Sequence, residues 1–342
     1  MTAVVVHTEV EAAIRDHAPV VVLESAVLTT GLPDLPWADG WDRESLARAV
    51  PDWDPDAPLA SQLQHRMERA VRDHGAIPCT TALINGRLHL GIDDRTAKTL
   101  MQEGVGNKVA STSLAIGMGS GLTAGTTVSG ALTCCRLLSG RAEDSSWTPV
   151  LATGGIGGVH RGWTERPDIS ADLMSLGSTK ACVVSAGSKS ILDMVATLEL
   201  LETISVPVLG WTTDRWPSFT SRTPESNPSI TPIHDLQHLG RICSHHWQEL
   251  NQSSAVLLAN PLDQTLALDH DAMDQLVDRI ETMATEQGLV GADRTPFVLG
   301  TIADQTAGQS VAANLALLLG NAARAGEAAC MLAGPHLVRG DD

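Results

Sequence analysis

Apolar positions along this chain fall into two rhythms. Short, nearly continuous β-rich runs occur at "PVVVLESAVL" (19–28), "IPCTTALING" (77–86), "TPVLATGG" (148–155), "KACVVSAG" (180–187), "VPVLGW" (206–211) and "AVLLAN" (255–260). Each ends in turn-forming residues, as strands buried on both faces do. Between them lie segments such as 58–74, where apolar and charged residues alternate at helical spacing. Strand and helix rhythms in alternation predict a layered α/β fold around a largely buried sheet. No repeat, low-complexity tract or linker divides the chain, so residues 1–342 read as a single domain. The segment 33–58, rich in Trp, Asp and Pro, reads as an insertion able to form a surface flap, and "SGRAEDSSW" (139–147) as a second long loop. In open α/β sheets the chemistry gathers just past the strand ends, which directs attention to the polar residues there.

Composition narrows the classes. The formal net charge is −17 and no Lys/Arg cluster offers a phosphate-backbone footprint, so nucleic acid is not an expected partner, whereas a small anion needs only local positive charge. No apolar run in the sequence approaches the roughly 20 residues of a membrane helix, and the start lacks a basic signal-peptide region, so neither membrane nor export is expected. The six cysteines form no C-x-x-C pair and most sit among apolar residues, which predicts buried thiols and a cytoplasmic protein. Tyr is absent and Phe occurs twice, so aliphatic packing must build the core.

Several stretches carry candidate chemistry, each beside a plainer explanation. "ATGGIGGVHRG" (152–162) has five glycines in eleven residues after a strand. It matches neither nucleotide fingerprint, so it is either a loop whose N–H groups approach a ligand or a set of tight turns between packed elements. In "VVSAGSKSILDMVATLELLE", Lys189 precedes an amphipathic helical pattern. At a helix N-terminus the dipole and desolvation would lower its pKa toward the neutral amine of Schiff-base chemistry; the alternative is a solvated loop lysine. Glu24 follows four apolar strand residues and must be paired, hydrogen-bonded or an acid/base. "DISAD" holds Asp168, Ser170 and Asp172, oxygen ligands for Mn²⁺ or Mg²⁺, or simply a helix cap. Lys108 can hold a phosphate as a point charge, and "GTTV" (125–128) presents hydroxyls and N–H groups at a helix start, a natural anion site. His245 and His246 are adjacent, diverge on a helix, and make a poor ligand pair.

Taken together, "LESAVLTTGLP", "GAIPCTTALINGRLHLGI", "KVAS", "GTTV", "TGGIGGVHRG", "DISADL", "VVSAGSKSILD" and "AANLALLLGNAA" resemble the pseudouridine-5′-phosphate glycosidase (indigoidine synthase A-like) family over roughly residues 18–330. The resemblance implies an α/β/α sandwich with a central mixed β-sheet flanked by helices, commonly a homotrimer. It also implies making or breaking a C–C glycosidic bond between ribose 5-phosphate and a base carbon. By the same resemblance Lys189 is the nucleophile that forms a Schiff base with C1 of the ring-opened sugar, and Glu24 is the acid/base. Asp168 is the Mn²⁺-site aspartate, with one ion per subunit. Lys108, Val128, Ser170, Ala171 and Asp172 contact substrate, and Thr153 and Asn314 line the base side. A C–C glycoside lacks a leaving heteroatom to protonate, so an iminium electron sink replaces the paired carboxylates of ordinary glycosidases.

Three departures stand out. The family's usual "KVSRRDL" reads "KVASTSL" here, its late "NNA" reads "GNA", and the 33–58 insertion is unusual. Schiff-base, acid and metal positions survive while their surroundings change. That combination leans toward a biosynthetic C-glycosynthase with a specialised acceptor. The alternatives are a degradative pseudouridine-5′-phosphate glycosidase, with Arg136, Arg161 or Arg222 replacing the missing arginines, or an inactive sugar-phosphate-binding protein.

Overall fold

The computed structural model describes residues 3–32, 35–143, 147–165, 167–289 and 294–334, without the side chains of 294–296. Its strands are β1 (Val4–Val6), β2 (Val20–Leu23), β3 (Ile77–Ile84), β4 (Arg87–Leu90), β5 (Lys108–Val109), β6 (Ala124–Thr126), β7 (Val150–Ala152), β8 (Val159–His160), β9 (Cys182–Ser185), β10 (Leu192–Asp193), β11 (Val208–Trp211), β12 (Thr231–Ile233) and β13 (Val256–Ala259). All six strand segments expected from the hydrophobic pattern are present. The helices are α1 (Thr8–Arg15), α2 (Arg43–Ala49), α3 (Leu59–Asp73), α4 (Asp94–Glu103), α5 (Leu114–Gly119), α6 (Val128–Ser139), α7 (Ala171–Leu176), α8 (Met194–Thr203), α9 (Leu236–Ser244), α10 (His270–Glu286), α11 (Arg294–Gln305) and α12 (Gln309–Ala333), with π-helical turns at Val27–Gly31 and His245–Glu249.

The main sheet runs β1-β4-β3-β2-β7-β9-β13-β11-β12, with β6 and β5 attached beside β3. It is mixed, but every pair from β3-β2 through to β11-β12 is parallel. Successive strand residues enter opposite layers, as the two-residue strand period demands. Val21 and Leu23 join the core under α2, α3, α9 and α12, whereas Val20 and Val22 join the core under α1, α6, α7 and α8. With both faces covered, the strand sequences need no polar alternation. A third apolar cluster joins α10 and α11 to Ile191 and Leu192.

Adjacency in the sheet positions the site. Leu23, Ala152 and Val184 are level across β2, β7 and β9. The chain segments that leave these three strands, carrying Glu24, the glycine run and Lys189, therefore emerge side by side at one sheet edge.

Two expectations change and a third lies partly outside the described residues. The 33–58 segment, of which 33–34 lie outside the described residues, exposes many of its residues but is anchored to the body of the fold: Trp37, Leu46, Val50 and Trp53 are buried in the core cluster that includes α12. The 139–147 loop falls partly on residues 144–146, also outside the described set. And α12, 25 residues long, is long and apolar enough by composition to cross a membrane. Here it packs against α3 and strands β2, β7 and β9, as the central helix of one layer.

Leu151, at the middle of β7, is fully buried. Truncating Leu151→Ala removes apolar contact and leaves a cavity, so urea denaturation should show a loss of about 2–5 kcal/mol.

Candidate active site

A cavity of about 300 Å³ opens at the strand ends just described, bordered by Glu24, Lys108, Val128, Ser170, Ala171, Asp172, Lys189 and Asn314 among others. The structure thus collects eight of the ten sequence-predicted site residues from six separate stretches of chain. The other two lie elsewhere. Thr153 sits beneath the cavity floor, 2% exposed; its N–H donates to the Val184 carbonyl and its own carbonyl accepts from Asn321. Asp168 is exposed in a neighbouring cleft with Asp278, Glu281 and Glu286. His160 borders both spaces.

Glu24 follows β2 in a tight turn. Its Oε2 accepts the Ala26 N–H at 2.9 Å. The next residue, Ser25, fastens this turn to the sheet: its hydroxyl donates to the Thr81 carbonyl and accepts from the Thr126 N–H. Glu24 is buried, and desolvation raises its carboxyl pKa above the ordinary 4.5; the Lys189 charge and the Val27 and Ala26 N–H groups pull it back, while Asp172 pushes it further up.

Lys189 does not stand at a helix N-terminus, as the sequence pattern had implied. The helix starts five residues later, at Met194, capped by the Asp193 carboxylate accepting from the Ala196 N–H. Lys189 instead belongs to an irregular segment zipped to the glycine run. Ala186 N–H donates to Gly154, Ile156 N–H to Gly187, and Lys189 N–H to Ile156. Short antiparallel pairing of β8 with β10, Val159 opposite Asp193, continues that zipper. The helix-dipole argument therefore does not apply to this amine.

The glycine run answers its own question. What crowds its backbone is protein. A Cβ on Gly155 would meet the Phe219 ring at 2.9 Å, and one on Gly157 would meet Asp172 Oδ2 at 2.8 Å as well as the Ser170 hydroxyl. On Gly158 it would strike Thr197. Gly154, Gly155 and Gly157 also border the cavity, so the loop is both a packed turn and a cavity wall.

Ser170 caps α7, its hydroxyl accepting the Asp172 N–H. Asp172 is 5% exposed and its two oxygens are divided: Oδ1 accepts Ser129 N–H and Oδ2 accepts Gly157 N–H, both at 2.9 Å. The anion position expected at the start of α6 is therefore taken in part by the protein's own carboxylate. Lys108, exposed overall at the edge of β5, turns its amine to the cavity, where desolvation and Lys189 lower its pKa and Asp172 opposes the drop. None of the three arginines considered as replacements reaches the cavity. Arg136 donates to Thr179 and Thr133, Arg161 pairs with Asp274 and Asp278 at 2.6 Å, and Arg222 is exposed.

Asn321 escaped the sequence reading. It is 1% exposed in the middle of α12, donates to the carbonyls of Thr153 and Gly154, and accepts from Asn260. Only its place in "GNA" marked it. Phe219 carries no signal in the sequence, because a distant stretch brings it to the wall, whereas His160 lies within the glycine-rich motif itself. Among the described residues no three His, Cys, Asp or Glu side chains gather as a metal cage. Asp168 offers an exposed carboxylate in a cleft also bordered by Asp278, Glu281 and Glu286, a donor set that fits a hard cation held mainly through water.

This geometry can be set beside known proteins. A family model described as "Indigoidine synthase A like protein" matches residues 56–331. The chain belongs to this family. Its relatives include the pseudouridine-5′-phosphate glycosidases of Deinococcus radiodurans, 35% identical over 94% of this chain and 92% of that protein, and of Escherichia coli, 33% identical over 94% and 93%. Among solved structures, the prealnumycin C-glycosynthase AlnA in complex with ribulose 5-phosphate is similar, with a TM-score of 0.79 and 31% identity over 96% of this chain and 97% of that one. An indigoidine synthase A-like protein from Thermotoga maritima has the same TM-score at 29% identity, over 98% of both chains. The α/β/α sandwich of this indigoidine synthase A-like chain is thus shared with both.

The raised Glu24 pKa has a stability consequence of definite sign. Folding favours the protonated carboxyl, so its contribution is fully present below pH 4.5 and is lost as pH rises through the higher folded pKa. Urea titrations should show Glu24→Gln gaining on the wild type as pH rises from 4 to 8; a constant gap would refute the buried-acid description.

Proposed function

We propose that this protein makes or breaks a C–C glycosidic bond between ribose 5-phosphate and a ring carbon. The observation that carries this reading is the convergence of one lysine and one buried glutamate of raised pKa in a single cavity, bordered by a second lysine. In the synthetic direction the Lys189 amine adds to the C1 aldehyde of the opened sugar and water leaves, giving an iminium. A nucleophilic ring carbon then bonds to C1, and its electron pair neutralises the nitrogen. Glu24 takes the proton from that carbon. Departure of the amine as the ribose hydroxyl closes on C1 regenerates Lys189, so the balance is sugar plus C–H giving C-glycoside plus water. Cleavage is the reverse, with Glu24 as the acid, a role that a raised pKa favours.

Lys108 supplies the charge for the sugar phosphate, and Ser170 and Asp172 face the sugar hydroxyls. Val128 and Ala171 shape that end, and Asn314 addresses the nucleophile. Asp168 would hold a divalent cation, Mn²⁺ by family likeness, largely through water; when bound, it would add positive charge beside His160. That no arginine among the described residues borders the cavity supports the biosynthetic reading, a C-glycosynthase with a specialised acceptor. The names of the curated relatives favour a degradative glycosidase instead. A homotrimer is proposed by family likeness, with exposed Ile116, Met174 and Val195 on α5, α7 and α8 as apolar surface available for contact between copies, and six free cysteines support a cytoplasmic setting.

Incubation with ribose 5-phosphate and borohydride should leave a mass adduct on Lys189, absent from Lys189→Ala; an adduct surviving in that variant removes Lys189 from its role. Glu24→Gln should keep the adduct and lose bond formation by about 10²–10⁴-fold; equal loss of both contradicts the proton-transfer role. With ribose 5-phosphate and uracil, efficient formation of pseudouridine 5′-phosphate identifies a uracil enzyme, and adduct without product points to another nucleophile. Chelation should lower activity and Mn²⁺ restore it; full activity in metal-free protein would remove the ion.

A further inference from the structure

The segment 35–58 contributes nothing to the cavity lining, yet it is firmly built in. Trp37 is 3% exposed and packs edge-on against Trp41 with ring centroids 5.0 Å apart. Both rings close over Gly308, where a Cβ would lie 2.7 Å from Trp37 and 2.9 Å from Trp41. Gly308 is the left-handed residue (φ +79°) immediately before α12, and Ala307 before it is also left-handed (φ +47°). The Asp42 N–H donates to the Ala307 carbonyl, and the Trp41 Nε1–H donates to Asp304 at the end of α11. The α11–α12 corner is thus clasped from outside.

That corner joins the two helices that carry Leu299, Asn314 and Leu318 into the cavity wall. The glycine run serves as a ruler across the same cavity. Gly154 faces Asn314 and Leu318, and Gly155 faces Phe219. Ile156 is bonded to Lys189, and Gly157 faces Ser170 and Asp172. One end is therefore apolar with a single amide, and the other is polar and carries the sugar-phosphate candidates.

We propose that Trp41 and Trp37 are positioning residues that set the apolar end of the cavity, and with it recognition of the carbon nucleophile, without controlling the sugar half of the reaction. This rests on the function proposed above for the same cavity. The test compares wild type with Trp41→Ala and with Trp41→Phe, which retains the ring on Gly308 but not the bond to Asp304. Hydrogen exchange across 297–318 should quicken about tenfold or more in Trp41→Ala and much less in Trp41→Phe. Borohydride-trapped ribose 5-phosphate adduct on Lys189 should stay within about twofold of wild type, while KM for the nucleophile (uracil and resorcinol as probes) rises about fivefold or more. Unchanged exchange overturns the clasp. Parallel loss of adduct and coupling overturns its restriction to the nucleophile end, as does an unchanged KM. A wild-type protein that forms no adduct at all refutes the proposed function instead, and the exchange data still judge the clasp.

Discussion

The carboxylate of Asp172 holds the site together. One oxygen takes a backbone N–H from the first turn of α6 and the other takes an N–H from the glycine run. Charge-assisted bonds of this kind are worth about 1.5–3 kcal/mol each, and more is at stake when a buried group would otherwise be left unpaired. The bond to Gly157 forms only because nothing projects from that residue, since a Cβ would occupy the space of Ser170 and Asp172. Glycine at 157 and aspartate at 172 are thus one constraint. It fixes the loop that in turn holds the backbone of Lys189, and it places a negative charge where it acts on both Glu24 and Lys108.

From the other side, α12 supports the same loop. Asn321 satisfies the carbonyls of Thr153 and Gly154, while Leu318 and Asn314, roughly one and two helical turns earlier, border the cavity. Gly308, the residue that leads into α12, is seated by the tryptophans of the inserted segment. A single helix therefore joins the peripheral segment, the cavity wall and the glycine run.

Much of this was legible in order along the chain. Buried strands announce themselves by apolar runs, because a sheet covered on both faces needs no polar alternation; the six runs at 19–28, 77–86, 148–155, 180–187, 206–211 and 255–260 each contain a strand. The candidate residues Glu24, Lys108 and Lys189 were visible because ionisable groups just past such strands need a reason. Asn321 and Phe219 gave no such signal: an asparagine in an apolar helix and an ordinary phenylalanine acquire meaning only from the carbonyls and glycines they meet.

Local pattern alone determined the layered α/β class, the strand positions and the polar residues at the strand ends, since each depends on near neighbours in the chain. Tertiary structure decided the rest. It set Glu24, the glycine run and Lys189 side by side through the order β2-β7-β9, moved the helix start away from Lys189, and put the Asp172 carboxylate on a backbone N–H at the first turn of α6. It also turned a tryptophan-rich insertion into a clasp. Each of these outcomes joins residues far apart in sequence, and the hydrogen-bond partners and excluded volume that enforce them exist only once the layers have packed.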